Sequence, residues 1–154
     1  MRNKLSVVII SKNEEEFITD AVKSALFADE VLVLDSGSVD ATCEIAQNLG
    51  AKVLHQDWLG FGAQKNKAVE LAKNDWVFVL DSDERITNGL QLEILNTLKN
   101  PTAEGYHTAR LNNFFGKNIR HCGLYPDFSI RLFSKSKSKF NEVSVHESVQ
   151  VKGT

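Results

Sequence analysis

The chain has 154 residues, of which 42% are hydrophobic and 25% charged, so it can bury one core of its own. Its net charge of −2 excludes a general electrostatic attraction to nucleic acid or to anionic lipid. Cys43 and Cys122 lie far apart and indicate neither a disulfide framework nor a zinc site. We therefore predict one globular domain, residues 1–154, in the reducing environment of the cytoplasm.

The first apolar run, residues 5–10 (LSVVII), predicts a strand buried on both faces, because β-branched residues follow one another without alternation. The run is too short to span a bilayer and lacks a small-residue cleavage site, which argues against a signal peptide. Residues 11–26 carry apolar side chains at helical spacing. They predict a helix with Ser11 or Asn13 as its N-terminal cap.

Strands and helices then alternate as far as Pro101. Three more strands are predicted at residues 30–35, 51–56 and 76–81. Three more helices are predicted at residues 40–50, 62–73 and 89–100. The first of these has Asp40 near its start and Gly50 at its end. Four strand–helix units in succession indicate a parallel sheet covered by helices on both faces.

After Pro101 the pattern changes to β-structure, with strands predicted in segments 105–116, 128–134 and 144–151. The predicted fold class is therefore α/β, with a mainly parallel sheet in residues 1–100 and a smaller mixed or antiparallel sheet in residues 101–154. The sequence stops within a predicted strand, which suggests a piece of a longer protein. The lysine-rich tract 134–140 (SKSKSKF) is typical of a solvated turn, with a loop facing lipid headgroups as the alternative.

Acidic residues end two of the predicted strands, at Asp35 and at Asp81, which Asp83 and Glu84 follow. Ligands of open parallel sheets bind outside these carboxyl ends. If the strand that ends at Asp81 stays extended as far as Asp83, these two side chains face the same side of the sheet. Two carboxylates about 5 Å apart repel each other by roughly 3 kcal/mol. Mg²⁺ or Mn²⁺ would turn that repulsion into a binding site. A helix-capping loop for these acids, and a simple turn at Asp35, are the alternatives.

Four segments resemble family-two glycosyltransferases in their order and spacing. They are SVVIISKNEE (6–15), VLVLDSGSVDAT (31–42), GFGAQKNKA (60–68) and VLDSDE (79–84). Two later segments, YPDFSIRLF (125–133) and VHE (145–147), resemble the bacterial branch that adds glucose or a similar sugar to the lipopolysaccharide inner core. The resemblance implies the GT-A fold. It also implies inverting, metal-dependent transfer from a nucleotide-diphospho-sugar, UDP-linked by preference, to a cell-envelope glycan such as that core.

The resemblance also implies a donor site. The positions that contact base and ribose in the family correspond to Ser11, Asn13, Glu14 and Asp35. The family often has Arg-Asn near the nucleotide where Lys65 and Asn66 stand here; an exposed helix position is the alternative for Lys65. Asp81 would face the ribose or the donor sugar, and Arg131 is a further candidate for clamping phosphate.

In the family's Asp-x-Asp motif the second acid carries the metal and the diphosphate, and that acid is Asp83 here. A bound Mg²⁺ or Mn²⁺ would neutralise charge on the departing diphosphate. His146 is a candidate third ligand, although a lone histidine is more often a hydrogen-bonded structural residue.

Inverting transfer also needs a base that takes the proton of the attacking hydroxyl from across the donor sugar. We predict Asp127 for that role, with Glu147 close behind. The alternative for both is a surface carboxylate paired with Arg120 or Arg131.

Two other function classes stay open from the sequence. A nucleotidyltransferase shares the alternating architecture, but the acidic segment after the first strand, SKNEEE (11–16), would repel a triphosphate. A non-catalytic or truncated nucleotide-sugar-binding module would keep the donor site alone. No nucleic acid partner is expected, and peripheral association with the inner face of the inner membrane is implied by the resemblance only.

Overall fold

The computed structural model describes residues 1–110, 113–114, 117–118, 127–140 and 149–151, with side chains for residues 1–108 and 130–138. Four strands alternate with four helices in the first hundred residues. These are β1 (Leu5–Ser11), α1 (Ile18–Ala25), β2 (Glu30–Asp35), α2 (Thr42–Asn48), β3 (Lys52–His55), α3 (Phe61–Leu71), β4 (Trp76–Asp81) and α4 (Asn88–Thr97). Six strands follow: β5 (Gly105–Arg110), β6 (Asn113–Phe114), β7 (Lys117–Asn118), β8 (Asp127–Ser134), β9 (Ser138–Phe140) and β10 (Val149–Val151).

Six of these strands form one sheet in the order β3-β2-β1-β4-β8-β5. The first four run parallel, whereas β8 is antiparallel to both β4 and β5. This arrangement confirms the predicted α/β class. It adds one correction: β5 and β8 extend the main sheet, because β8 pairs with the free edge of β4 and places Leu132 in one core and Phe133 in the other. The smaller antiparallel pairs are β9–β10 and β6–β7.

Helices cover both faces of the sheet, as predicted. One core contains buried residues of α1, α2 and α4, such as Val22, Ala46 and Ile94, packed with every second residue of the strands. The opposite core contains Ala68 and Val69 of α3 with the alternate strand residues. Since both faces are dry, the strands show no polar alternation, which is the reason for the continuous apolar runs in the sequence.

The first helix begins later than its sequence predicts. It starts at Ile18, preceded by Phe17, and no side chain caps it, so neither Ser11 nor Asn13 is its N-terminal cap. Ser11 is instead bonded to Asp35 at the end of β2, and Asn13 is bonded to Val39 in the β2–α2 loop. The other predicted helix signals are confirmed: the Asp40 carboxylate accepts from the Thr42 amide at 3.0 Å, and Gly50 follows α2 with φ of 103°.

The lysine-rich tract forms the turn between β8 and β9, as predicted. Ser134 pairs with Trp76, so the turn lies at the amino end of β4, away from the acidic strand ends. The Lys135 ammonium donates to the Ala72 carbonyl, and Lys137 lies 4.0 Å from Glu104. These contacts give the headgroup alternative no support. Among the residues described, no helix is long and apolar enough to cross a membrane.

Candidate active site

A cleft of about 550 Å³ opens at the carboxyl ends of β1, β2 and β4. In the sheet register, Ser11 of β1 is beside Asp35 of β2, and Ile10 is beside Asp81 of β4. The strand order reverses at β1, which is where open α/β sheets bind ligands. The cleft is lined by Ile10, Ser11, Lys12, Glu14, Ser36, Trp58, Phe61, Lys65, Asp81, Ser82 and Asp83.

Asp35 organises one end of the cleft without lining it. Its Oδ1 accepts hydrogen bonds from the hydroxyls of Ser11, at 2.8 Å, and Ser38, at 2.6 Å. Its Oδ2 accepts from the amides of Gly37, at 2.9 Å, and Ser38, at 2.7 Å. A carboxylate has about four lone-pair positions. With four donors in place and only 3% of the residue exposed, Asp35 is saturated by protein contacts.

The electrostatics agree with an ionised Asp35. Burial acts to raise the pKa of this carboxyl, but the hydrogen bonds from Ser38, Ser11 and Gly37 outweigh it, and the pKa lies below its usual range. Burial, together with the Asp35 charge, raises the pKa of the neighbouring Cys43 thiol to about 11. Cys43 therefore stays a protonated thiol at neutral pH and is not a nucleophile.

Replacing Asp35 by asparagine is expected to lower the free energy of unfolding at pH 7 by about 1–3 kcal/mol, because buried donors lose a charged acceptor. A carboxyl whose pKa is lower in the folded state stabilises the fold above its unfolded pKa of about 3.9, and that contribution disappears as pH falls through the folded value. Denaturant unfolding between pH 7 and pH 3 should therefore show a smaller acid-induced loss in Asp35→Asn than in the wild type. Equal losses would contradict the assignment.

The loop after β1 is fastened to the loop after β2. Asn13 has φ of 53°, a left-handed conformation that asparagine tolerates, and its side-chain oxygen accepts from the Val39 amide at 2.9 Å. The Asn13 amide donates to the Ser38 hydroxyl at 2.7 Å, and the Glu14 amide donates to Thr42 Oγ1 at 2.8 Å. Asn13 thus shapes the cleft without lining it, whereas Ser11 and Glu14 line it.

Asp81 is held by cations of the protein. Lys65 Nζ lies 3.4 Å from Asp81 Oδ1, and Arg131 Nη2 lies 3.5 Å from Asp81 Oδ2. Glu84 joins the cluster, since its carboxylate accepts from the Asp81 amide at 2.8 Å and lies 3.4 Å from Arg131. The Lys65 side chain is only 6% exposed, so the exposed-position alternative is wrong. This network joins α3, β4 and β8 at the cleft.

The two acids of the Asp-x-Asp motif do not share an extended strand. β4 ends at Asp81, and the Glu84 amide donates to the Asp81 carbonyl at 3.0 Å, which closes a turn. Asp83 lies in that turn, exposed and lining the cleft. The helix-capping alternative is also wrong, because α4 begins at Asn88 and is capped by the Thr87 hydroxyl, which accepts from the Leu90 amide at 3.2 Å.

Two carboxylates in the cleft can offer oxygen ligands to a hard cation, Glu14 and Asp83. Burial, and then the charge of Asp83, raise the pKa of Glu14, so negative charge is concentrated between them. Within the described part of the chain, no three histidine, cysteine, aspartate or glutamate side chains cluster as a metal site. The donor set fits an ion that takes its remaining ligands from water and phosphate, as Mg²⁺ does.

The remaining predicted residues lie off the cleft or outside the described chain. Asn66 is half-buried on α3 and does not line the cleft. Arg131 does not line the cleft either, and its guanidinium contacts Asp81, Glu84 and the Val79 carbonyl. Asp127 begins β8, whose antiparallel run against β4 places that start at the carboxyl edge of the parallel strands. Glu147 and His146 lie outside the described residues.

Sequence reasoning did not identify six cleft-lining residues: Ile10, Lys12, Ser36, Trp58, Phe61 and Ser82. A signal was present for the aromatic pair, because apolar side chains flank Gly60 just after a predicted strand and before a helix. Gly60 has φ of 98°, which a residue with a side chain rarely adopts, so the turn into α3 depends on it.

The fold and the cleft define this protein as an α/β protein of the GT-A class. Structures of the S. aureus protein TarS superpose with a TM-score of 0.69 at 20% identity, over 90% of this chain and 30% of that one. TarS 1–349 with UDP-GlcNAc gives 0.65 at 20% identity, over 86% and 46%. Glucosyl-3-phosphoglycerate synthase of Mycobacterium tuberculosis, solved with Mn²⁺ and UDP, gives 0.53 at 25% identity, over 65% and 41%.

The chain belongs to glycosyl transferase family 2, whose sequence model matches residues 6–145. Uncharacterized glycosyltransferases of Rickettsia conorii and Rickettsia felis are 45% and 47% identical over 97% and 95% of this chain. The lipopolysaccharide core biosynthesis glycosyltransferase LpsC of Rhizobium meliloti is 28% identical over 97% of it. The chain spans 55%, 54% and 58% of the lengths of these three relatives.

Proposed function

We propose that this chain carries the donor-binding part of an inverting glycosyltransferase that moves a hexose from a UDP-sugar to a cell-envelope glycan. The observation that carries the proposal is the cleft where β1, β2 and β4 end, with hydroxyls at one end and the Asp81–Asp83 turn at the other. UDP-GlcNAc in TarS and UDP with Mn²⁺ in the mycobacterial synthase support a nucleotide-sugar donor.

In the proposed donor complex the diphosphate lies beside Asp83 and the nucleoside beside Ser11 and Ser36. Asp35 and Asn13 act by holding this end of the cleft in shape rather than by touching the donor, since their oxygens already accept protein hydrogen bonds. Lys65 and Arg131 fix the Asp81 carboxylate, so that it presents a set orientation to the ribose or the donor sugar.

Asp83, assisted by Glu14, would hold the Mg²⁺ or Mn²⁺, and a bound ion supplies Lewis-acid neutralisation of the diphosphate leaving group. An acceptor hydroxyl oxygen bonds to the anomeric carbon from the face opposite the diphosphate. The bond from that carbon to the diphosphate oxygen breaks, and its electron pair leaves with the diphosphate. The proton of the hydroxyl passes to a carboxylate base.

Asp127 is the proposed base, because its strand starts at the same edge of the sheet as the cleft. Glu147 is the second candidate for the base, and His146 remains a proposed metal ligand. The likeness to LpsC supports an acceptor of the lipopolysaccharide core type. Work at the cytoplasmic face of the inner membrane, with peripheral attachment, is part of the proposal.

Calorimetric titration with UDP, UDP-glucose, UDP-galactose and GDP-mannose, with and without Mn²⁺, tests the proposal. We expect micromolar to millimolar binding of one UDP-sugar, corresponding to about −8 to −4 kcal/mol, and dependent on the metal. Transfer of radiolabelled sugar to deacylated lipooligosaccharide, with the product anomer read by NMR, tests the enzyme activity and its inversion. Absence of metal-dependent nucleotide binding would overturn the donor site, and a retained anomeric configuration would overturn inversion.

A further inference from the structure

Two aromatic side chains form one wall of the cleft. Trp58 and Phe61 are each 49% exposed, and their rings meet edge to face with centroids 4.8 Å apart. Half-exposed large aromatic rings that line a cavity are costly to leave in water, and an edge-to-face pair fixes the ring orientations. The pair therefore offers a preformed aromatic surface at the cleft, in which the rings of Trp58 and Phe61 stand at 87° to each other.

The loop that carries this surface is held in place by hydrogen bonds to the side chain of Gln64. Gln64 is fully buried; its side-chain oxygen accepts from the Leu59 amide at 3.1 Å, and its amide nitrogen donates to the Gln56 carbonyl at 3.2 Å. The Gln64 amide in turn donates to the Gly60 carbonyl at 2.8 Å. Trp58 is thus presented by a short loop whose backbone is bonded on both sides of it.

The position of this wall indicates which part of a donor it meets. The aromatic loop follows β3, which lies next to β2, whereas the Asp81–Asp83 turn follows β4 on the other side of β1. With the diphosphate beside Asp83, an extended nucleoside diphosphate places its base toward Ser36 and Trp58. At this end Asp35 is saturated by its four donors, so another group must hold the base.

We propose that the indole face of Trp58, supported edge-on by Phe61, stacks on the nucleobase of the donor. Ser11 and Ser36 donate their hydroxyl protons inward, to Asp35 and to the Ser11 carbonyl, and so present oxygen lone pairs to the base. The base is then held by stacking and by acceptors that suit an imide N–H, as in uracil. This inference rests on the proposed nucleotide-sugar function.

The test compares UDP with inorganic pyrophosphate, both with Mn²⁺, on the full chain. Stacking contributes about 1–3 kcal/mol per base, so Trp58→Leu should weaken UDP binding by about 5- to 150-fold and leave pyrophosphate binding unchanged. Phe61→Leu should weaken UDP binding less. Leu59→Ala is the matched control: it removes an equally exposed apolar side chain of the same loop that does not line the cleft, and UDP affinity should stay the same.

A second readout uses fluorescence, because the chain has two tryptophans and Trp76 is buried. In a Trp76→Phe variant, UDP should quench the Trp58 emission and pyrophosphate should not. Unchanged UDP affinity in Trp58→Leu, or equal weakening of UDP and pyrophosphate, would overturn the stacking role while leaving the donor site intact. A wild type that binds no nucleoside diphosphate would overturn the proposed function and this inference together.

Discussion

Replacing Asp83 by asparagine is expected to lower kcat/KM for sugar transfer by at least about 100-fold, a loss of roughly 2.7 kcal/mol of transition-state stabilisation. The substitution keeps the size of the side chain but removes the charge that faces the cation and the diphosphate. Asp81 cannot replace it, because Lys65 and Arg131 already hold its two oxygens. Initial rates across Mn²⁺ and donor concentrations measure the effect.

The same variant should fold as well as the wild type. Asp83 is exposed in a turn, so its replacement should change the free energy of unfolding by less than about 0.5 kcal/mol. Asp57→Asn is the matched control, because Asp57 is a highly exposed carboxylate that does not line the cleft. An Asp83→Asn enzyme that keeps its rate within about threefold, well under 1.4 kcal/mol, would remove Asp83 from the proposed site.

Phe133→Ala is expected to lower the free energy of unfolding by about 3–5 kcal/mol. Phe133 is 0% exposed and packs with Val77 and Val79 in the core beneath α3. It belongs to β8, so a loss of this size would also establish that β8 is part of the main sheet rather than of a separate unit. Urea denaturation monitored by circular dichroism measures the change.

Phe17→Ala is the control for this experiment, since it deletes the same side chain from a position that is 50% exposed. We expect that variant to lose less than about 1 kcal/mol. If Phe133→Ala were equally mild, or if unfolding split into two transitions in the wild type, β8 would not share the cooperative core.

The parallel part of the fold could be predicted because its strands and helices are encoded by short, continuous segments of sequence. Continuous apolar runs of strand length, such as residues 5–10 and 76–81, are typical of strands covered on both faces, and Gly50 marks a helix end. The placement of β8 and β5 beside β4 could not be predicted. It depends on which sheet edge Phe133 and Leu132 cover, and pairings of distant segments leave no periodic signal in the sequence.

The candidate site, like the fold, could be predicted from the sequence only in part. The acids at the strand ends were identified because parallel strands end at one edge of the sheet. Their hydrogen-bond and ion-pair partners could not be identified, because those partners come from other segments of the chain that only the folded structure brings close. The sequence gives no sign that Lys65 is buried against Asp81 or that Asp35 is saturated by Ser11, Gly37 and Ser38. A carboxylate at a strand end can contact a ligand, or it can accept hydrogen bonds from the protein around it. Only the hydrogen-bond geometry of the folded structure distinguishes these two roles.

The position of β4 inside the sheet has a consequence for how tightly a ligand can be held. β4 is hydrogen-bonded on both sides, to β1 and to β8, and such interior strands are among the last segments of a protein to open. The acidic turn is mounted directly on this strand, so its carboxylates are already in place before any ligand arrives. Little chain entropy remains to be lost on association, and more of the contact energy is retained as affinity.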